Sequence, residues 1–285
     1  MPVICVGNLT LGGSGKTPIV RALADLLGGA DGGVHILMRG HGGRERGPLR
    51  VDPARHTAAE VGDEAVMLSS SAPVWIARDR AAGASAAVAA GARIILMDDG
   101  HQNPALAKAL SLVVVDGETR DGEWPFGDGA VFPAGPMREP LAIGLARADA
   151  VILLLPTDLI EPDPSLLAAL AAKPVLFARL EAEAPPPPGP QLGFAGIAKP
   201  WKVERALKAA GCDLVDFAPL PDHAAIPEAT LRFLADRAEA LGAGLVTTEK
   251  DAARLTEVWR ERVAVWRVRA RFADEAAVRK MIASA

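Results

Sequence analysis

The run "VICVGNLTLGGSGKTPIV", Val3 to Val20, ends in Gly-Lys-Thr behind a series of glycines. That order serves the cradling of a polyphosphate. Gly12, Gly13 and Gly15 let backbone N–H groups approach an anion, and a helix beginning at or just after Lys16 adds its positive end. Pro18 suits the first turn of that helix, where a missing N–H costs nothing. Lys16 would reach the β- and γ-phosphates, and the Thr17 hydroxyl would bind Mg²⁺. The spacing departs from G-x-x-x-x-G-K-[ST], because Thr10 stands where that pattern has its first glycine. Strand, glycines, Gly-Lys-Thr and helix are all in order, so the stretch reads as a variant nucleotide loop. Its binding set is Thr10, Gly12, Gly13, Ser14, Gly15, Lys16 and Thr17.

A phosphate loop needs an acidic residue at a neighbouring strand end to hold the metal. "RIILMDDG" supplies Asp98 and Asp99 at the carboxyl end of an apolar run, the end that faces the ligand crevice of an open parallel sheet. A turn pair before Gly100 is the bland alternative; beside a phosphate loop, the Mg²⁺ role is favoured. "EVGDEAVML" sets Asp63 and Glu64 at a helix start, where carboxylates sit well against the helix dipole, and the residues alone favour capping. "PLPDHAAI" sets Asp222 and His223 after an apolar run. A lone histidine is more often structural, yet an Asp–His pair at a strand end also builds a proton acceptor. Arg39, Arg44, Arg46 and Arg50 crowd a glycine-rich segment that could grip an anionic substrate or lie solvated. "FPAGPMREP" and "VTTEKDAARL" are charged loop edges with the same ambiguity. "TEKD" does not match the N-K-x-D or T-K-x-D strand end of guanine readers, which favours ATP over GTP.

These residues need a scaffold. Short Val/Ile/Leu runs ("VICVGNL", "VHILMRG", "VWIA", "RIILMDD", "LSLVVVDG", "AVILLLP", "PVLFARL") alternate with helix-length segments such as Pro18–Leu27, Asp63–Ser70, Arg80–Ala90 and Leu141–Ala146. Continuous apolar strands between helices indicate a mainly parallel sheet covered on both faces. "EAPPPPGP" cannot continue a helix or central strand and reads as a linker. The alternation then restarts, with "VAVWRVRARF" as its last strand and a final helix after it. The expected fold is α/β and P-loop NTPase-like: a first domain over 1–184, a proline-rich linker over 185–190, and a smaller α/β domain over 191–285. A cleft is expected between the two.

The chain of 285 residues is long enough to bury two such cores. Its net charge of −4 gives no reason to expect nucleic acid as a partner. Cys5 and Cys212 are isolated and suit small buried thiols in a reducing compartment. No window approaches the roughly 18–20 apolar residues of a membrane span, and no charged n-region precedes the first strand. The expectation is a cytoplasmic protein.

Taken together, "VGNLTLGGSGKTP", "MRGHGGR", "VGDEAVML", "DDGHQN", "GPMREP", "FAGIAKP", "PDHAA" and "TTEKDAARL" resemble the tetraacyldisaccharide 4'-kinases, the LpxK kinases of the lipid A pathway, in the same order and over nearly the whole chain. The resemblance implies ATP- and Mg²⁺-dependent phosphoryl transfer to the 4'-hydroxyl of a tetraacylated glucosamine disaccharide 1-phosphate, giving lipid IVA. It implies two α/β domains closing around ATP. Asp63 would match the aspartate that accepts the sugar hydroxyl proton, and His223 the histidine that pairs with it from the second domain. Asp98 and Asp99 would match the acidic pair at the metal, with Glu139 nearby; Asn8, Arg44, Gln102 and Arg138 would face the substrate.

Two features depart from the family pattern. "DDGHQN" has Asn103 where the family has a histidine and His101 within, so no role is carried to that terminal position. Relatives also usually have some forty residues, including a membrane-associating helix, before the phosphate-loop strand, whereas Met1 here stands almost on it. The expectation is a monomer without protein partners that meets its lipid peripherally at the cytoplasmic face of the inner membrane. The rival readings are a P-loop kinase or NTPase with a soluble acceptor and a metal-insertion NTPase, the latter disfavoured by the lack of Cys/His clusters.

Overall fold

The computed structural model describes residues 1–222 and 224–284. The chain alternates strand and helix through β1 (Val3–Gly7), α1 (Lys16–Leu26), β2 (Val34–Met38), β3 (Leu49–Arg50), α2 (Ala58–Val61), α3 (Asp63–Leu68), β4 (Val74–Ile76), α4 (Arg80–Ala89), β5 (Ile94–Asp98), β6 (Leu110–Asp116), α5 (Leu141–Ala146), β7 (Ala150–Leu155), α6 (Pro164–Leu170) and β8 (Val175–Ala182). After the prolines come β9 (Gln191–Ala195), α7 (Pro200–Ala209), β10 (Leu214–Pro219), α8 (Glu228–Ala240), β11 (Gly244–Thr248), α9 (Glu249–Ala252), α10 (Glu257–Arg262), β12 (Val263–Trp266), β13 (Val268–Phe272) and α11 (Glu275–Ala283).

Two sheets result. The larger has the order β13-β8-β7-β6-β1-β5-β2-β4-β3, and the smaller β10-β9-β11-β12. Every pairing in the larger sheet is parallel except those of β3 and β13 at its two edges. Its central strands are buried along their whole length because helices cover both faces. All six residues of β7, Ala-Val-Ile-Leu-Leu-Leu, are buried, and each leucine there contributes about 1.5–3 kcal/mol of transfer free energy. The chain leaves β1 for β2 on one side, beyond β5, while β6 lies on the other. The order therefore reverses at β1, and a ligand crevice opens at its carboxyl end.

The chain corrects one strand of the sequence reading. "VAVWRVRARF" is not a single strand: β12 ends the small sheet in parallel with β11, and β13 crosses to pair antiparallel with β8. The region expected to form a second unit over 191–285 thus keeps its own sheet only to Trp266. Ala270, Phe272 and Val278 then pack into the large sheet's core beside α1. The reason is burial: β8 would otherwise expose an edge, and β13 with α11 covers it.

Candidate active site

The phosphate loop sits where the strand order reverses. Gly7 ends β1 so close to the next loop that a Cβ there would lie 2.4 Å from His101 Cβ. Gly15 caps α1 in the left-handed region, at φ 80°, and a Cβ on it would also strike Leu154 Cδ2 at 2.2 Å. Both conditions demand glycine, which keeps the amides at the head of α1 open to an anion. Asn8, fully buried, donates from Nδ2 to the Thr10 carbonyl at 2.8 Å and stiffens the turn. Thr10 bridges to Met137, so the segment around 131–138 lies along the loop. Gly12 and Gly13 are exposed, and a Cβ on Gly13 would meet Ala198 of the small-sheet unit at 3.3 Å. Ser14 and Thr17 are buried at the helix start, and Ser14 Oγ has no hydrogen-bond partner.

Asp98 and Asp99 are neighbours in sequence but opposites in environment. Asp98 closes β5, is 2 % exposed, and its Oδ1 has no hydrogen-bond partner among the described residues. Burial first and Glu64 second push its carboxyl up to about 7, against the pull of Lys16. Asp99 turns out of the strand at φ 51°. Its carboxylate takes Lys16 Nζ at 3.4 Å and Arg138 Nη1 at 3.1 Å. Burial would raise it, but those two cations hold it below the usual carboxylate range. Arg138 also donates from Nε to the Thr10 carbonyl, at 3.1 Å. The loop lysine therefore rests on Asp99, while Asp98 is a buried oxygen donor that could take a cation.

Those donors fit a magnesium site of the phosphate-loop kind. Among the described residues no three His, Cys, Asp or Glu side chains gather as a protein cage. One carboxylate and a hydroxyl, completed by phosphate oxygens and water, is the set Mg²⁺ ordinarily takes. Glu139, expected at the metal, is engaged elsewhere. Both its oxygens accept from Arg147 Nη2 at 2.5 Å, and Gln102 Nε2 donates to Oε1 at 2.9 Å. Gln102 gives a further bond to the Asn8 carbonyl at 2.9 Å, so it braces the phosphate loop from behind.

At the head of α3, Asp63 is 5 % exposed and its Oδ1 accepts from the Glu64 N–H at 2.8 Å. Arg254 approaches its Oδ2 with Nε at 3.8 Å. Lys250 Nζ lies 3.5 Å from Glu64 and 3.4 Å from Asp222. His223 lies outside the described residues. Arg44 is 68 % exposed at its side chain and pairs with Glu60 at 2.6 Å. His101 is a packing residue: Nδ1 is 2.8 Å from Ser111 Oγ, Nε2 is 3.0 Å from the Gly144 carbonyl, and burial lowers its pKa. Asn103 accepts from the Ala105 N–H at 2.8 Å and shapes the following turn.

Three cations at the site were not assigned from sequence. Arg80, 4 % exposed, bonds the Ala77 carbonyl, and its charge faces Asp99 and Asp98. Its only signal was a basic residue opening a helix at the sheet's carboxyl edge. Lys250 and Arg254 lay inside a noted charged segment, but nothing in their spacing tied them to "VGDE".

Comparison with known proteins decides the family. The model of a family described as LpxK, tetraacyldisaccharide-1-P 4'-kinase, matches residues 1–285. The chain belongs to this family. It is 68% identical over 277 residues to the tetraacyldisaccharide 4'-kinase of Phenylobacterium zucineum (strain HLK1), covering 97% of this chain and 83% of that one. It is likewise 68% identical over 281 residues to that of Caulobacter vibrioides (strain NA1000 / CB15N), covering 99% and 84%. Its fold is that of the crystal structure of LpxK from Aquifex aeolicus in complex with ATP, with a TM-score of 0.75, 27% identity, and coverage of 99% of this chain and 88% of that one. Like that LpxK kinase, this member is an α/β protein built on a large, mostly parallel sheet flanked by helices.

Proposed function

We propose that this chain transfers the γ-phosphoryl group of ATP to the 4'-hydroxyl of a tetraacyldisaccharide 1-phosphate, forming lipid IVA. The observation that carries the reading is Asp98: a buried carboxylate with an unpartnered oxygen beside the glycine-opened head of α1 and its lysine. Family membership over the whole chain supplies the acceptor. Lys16 binds the β- and γ-phosphates once ATP draws it off Asp99, and the amides around Gly13–Thr17 hold the phosphate oxygens. Asp98 and the Thr17 hydroxyl would hold Mg²⁺, with Asp99 beside them. A magnesium ion bound there neutralises charge on the phosphates. As the sugar oxygen bonds to γ-phosphorus and the bond to ADP breaks, the hydroxyl proton passes to Asp63. Positioning and charge neutralisation are most of what this reaction asks of a protein.

The two-unit division at 185–190 belongs to this proposal, as does a monomeric enzyme working peripherally at the inner membrane. Among the described residues no helix is long and apolar enough to cross a membrane. Nothing favours a soluble acceptor. The test of the site is Asp63→Asn. Turnover is expected to fall by about 10²–10⁴ while nucleotide affinity stays within roughly threefold. Retained turnover, or nucleotide binding lost with it, would refute the role given to Asp63.

A further inference from the structure

The charged segment running from Thr248 to Arg254 is given no step in the chemistry above, yet it is held from every side. Glu249 receives Arg21 of α1 at 3.1 Å, Arg267 at 3.4 Å and Arg269 of β13. Burial alone would raise its carboxyl, but Arg269 and Arg21 keep it below the usual range. Two residues on, Asp251 is fully buried and accepts from Thr248 Oγ1 at 2.6 Å and the Gly196 N–H at 2.9 Å. Helix α9 is thereby fixed both to the phosphate-loop helix and to the small sheet. Between those anchors stands Lys250, its ammonium 3.5 Å from Glu64 Oε1 and 3.4 Å from Asp222 Oδ1.

The two partners are significant by position. Glu64 directly follows Asp63, and Asp222 directly precedes His223. One cation on an anchored helix therefore ties the residue next to Asp63, the proton acceptor of the proposed reaction, to Asp222 of the other unit. An ammonium has three donors and can serve two carboxylates at once. It also offsets Glu64, whose charge presses on Asp98 where a polyphosphate must enter.

We propose that Lys250 is a positioning residue for phosphoryl transfer, setting the head of α3 against the turn at Asp222 without touching either substrate. The inference rests on the kinase reading. Magnitudes separate it from an ordinary ion pair. A partly exposed pair adds little to stability, whereas about 1 Å of misplacement at a reacting centre costs about 10²-fold in rate. The lysine's effect belongs in kcat, not in the melting temperature.

The test uses the full chain with γ-labelled ATP and tetraacyldisaccharide 1-phosphate in mixed micelles. Lys250→Met is expected to lower kcat by about 10–100-fold, with the KM for ATP and the melting temperature nearly unchanged. Lys250→Arg, which keeps the charge, is expected to regain most of the lost rate. Adding Glu64→Gln to Lys250→Met is expected to cost no more than about threefold beyond the worse single variant, because the lysine acts through that carboxylate. A Met variant turning over within twofold of the unsubstituted protein would overturn the proposal. So would Arg and Met variants equally slowed with a lowered melting temperature, or losses that multiply in the double variant. If the unsubstituted protein labels no lipid, the kinase reading fails and takes this inference with it; normal labelling with an unaffected Met variant removes this inference alone.

Discussion

Asp98 carries the plainest cost in the molecule, a carboxylate closed into the apolar end of β5 with one oxygen unmet. Its folded carboxyl is pushed from the ordinary 3.8 to about 7, so between those values the folded chain holds a proton that the unfolded chain has released. Stability from this group is therefore lost as pH rises through that window, and the full penalty stands above about 7. Asp98→Asn removes the ionisation. Its melting temperature is expected to exceed the unsubstituted protein's by about 4 °C or more at pH 8 and by about 2 °C or less at pH 4.5, in ligand-free, metal-free buffer. Equal or opposite shifts at the two pH values would contradict the burial argument. The same change is expected to abolish transfer. The adjacent pair was legible in the sequence as an acidic strand end. Which aspartate pairs with cations was not, because Arg138 reaches Asp99 across 39 residues and the φ 51° turn is a tertiary fact. The partners of Glu139 were out of reach of the sequence for a related reason: Arg147 and Gln102 come to its carboxylate from other parts of the chain.

Among the elements, the strands were easiest to read, since continuous Val/Ile/Leu runs of five to seven residues have few other uses in a sheet covered on both faces. Their partners were not readable. β12 and β13 form one apolar stretch in sequence and go to different sheets, a choice made by the open edge of β8. Helix α9 is four residues long, and no periodicity can announce it. Yet it joins the units through Glu249. Glu249→Gln leaves Arg21 and Arg269, both largely buried, short of their countercharge, at an expected cost of about 2–4 kcal/mol at pH 7–8. Because the folded carboxyl lies below its ordinary 4.5, that stability is present above about 4.5 and lost as pH falls through the depressed value. Denaturant melts of the two proteins should thus separate at pH 8 and draw together as pH falls through the depressed value. A gap independent of pH would mean that packing, not charge, fixes α9.

At the scale of the whole molecule, the two sheets grip each other on both sides of the phosphate loop. On one side α9 meets α3; on the other, Lys199 just before α7 and Arg205 within it pair with Glu123 at 2.7 Å and Glu118 at 3.1 Å, on the segment following β6. Ala198, just before α7, lies over Gly13. On the proposed reading, nucleotide and acceptor would be enclosed between units that each contribute charge, which suits a reaction that must keep water from the γ-phosphate. The order of the motifs made this family legible from sequence; the cross-unit pairings that assemble its site depend on approach in space and were not. The most direct test of the central claim is label transfer from γ-labelled ATP to tetraacyldisaccharide 1-phosphate, by the unsubstituted chain and by Lys16→Met. Label on the lipid at the 4'-position, lost by about 10²-fold or more with the lysine, is the predicted result. Lipid left unlabelled by the unsubstituted chain while it still binds ATP, or labelled equally by both proteins, would contradict it.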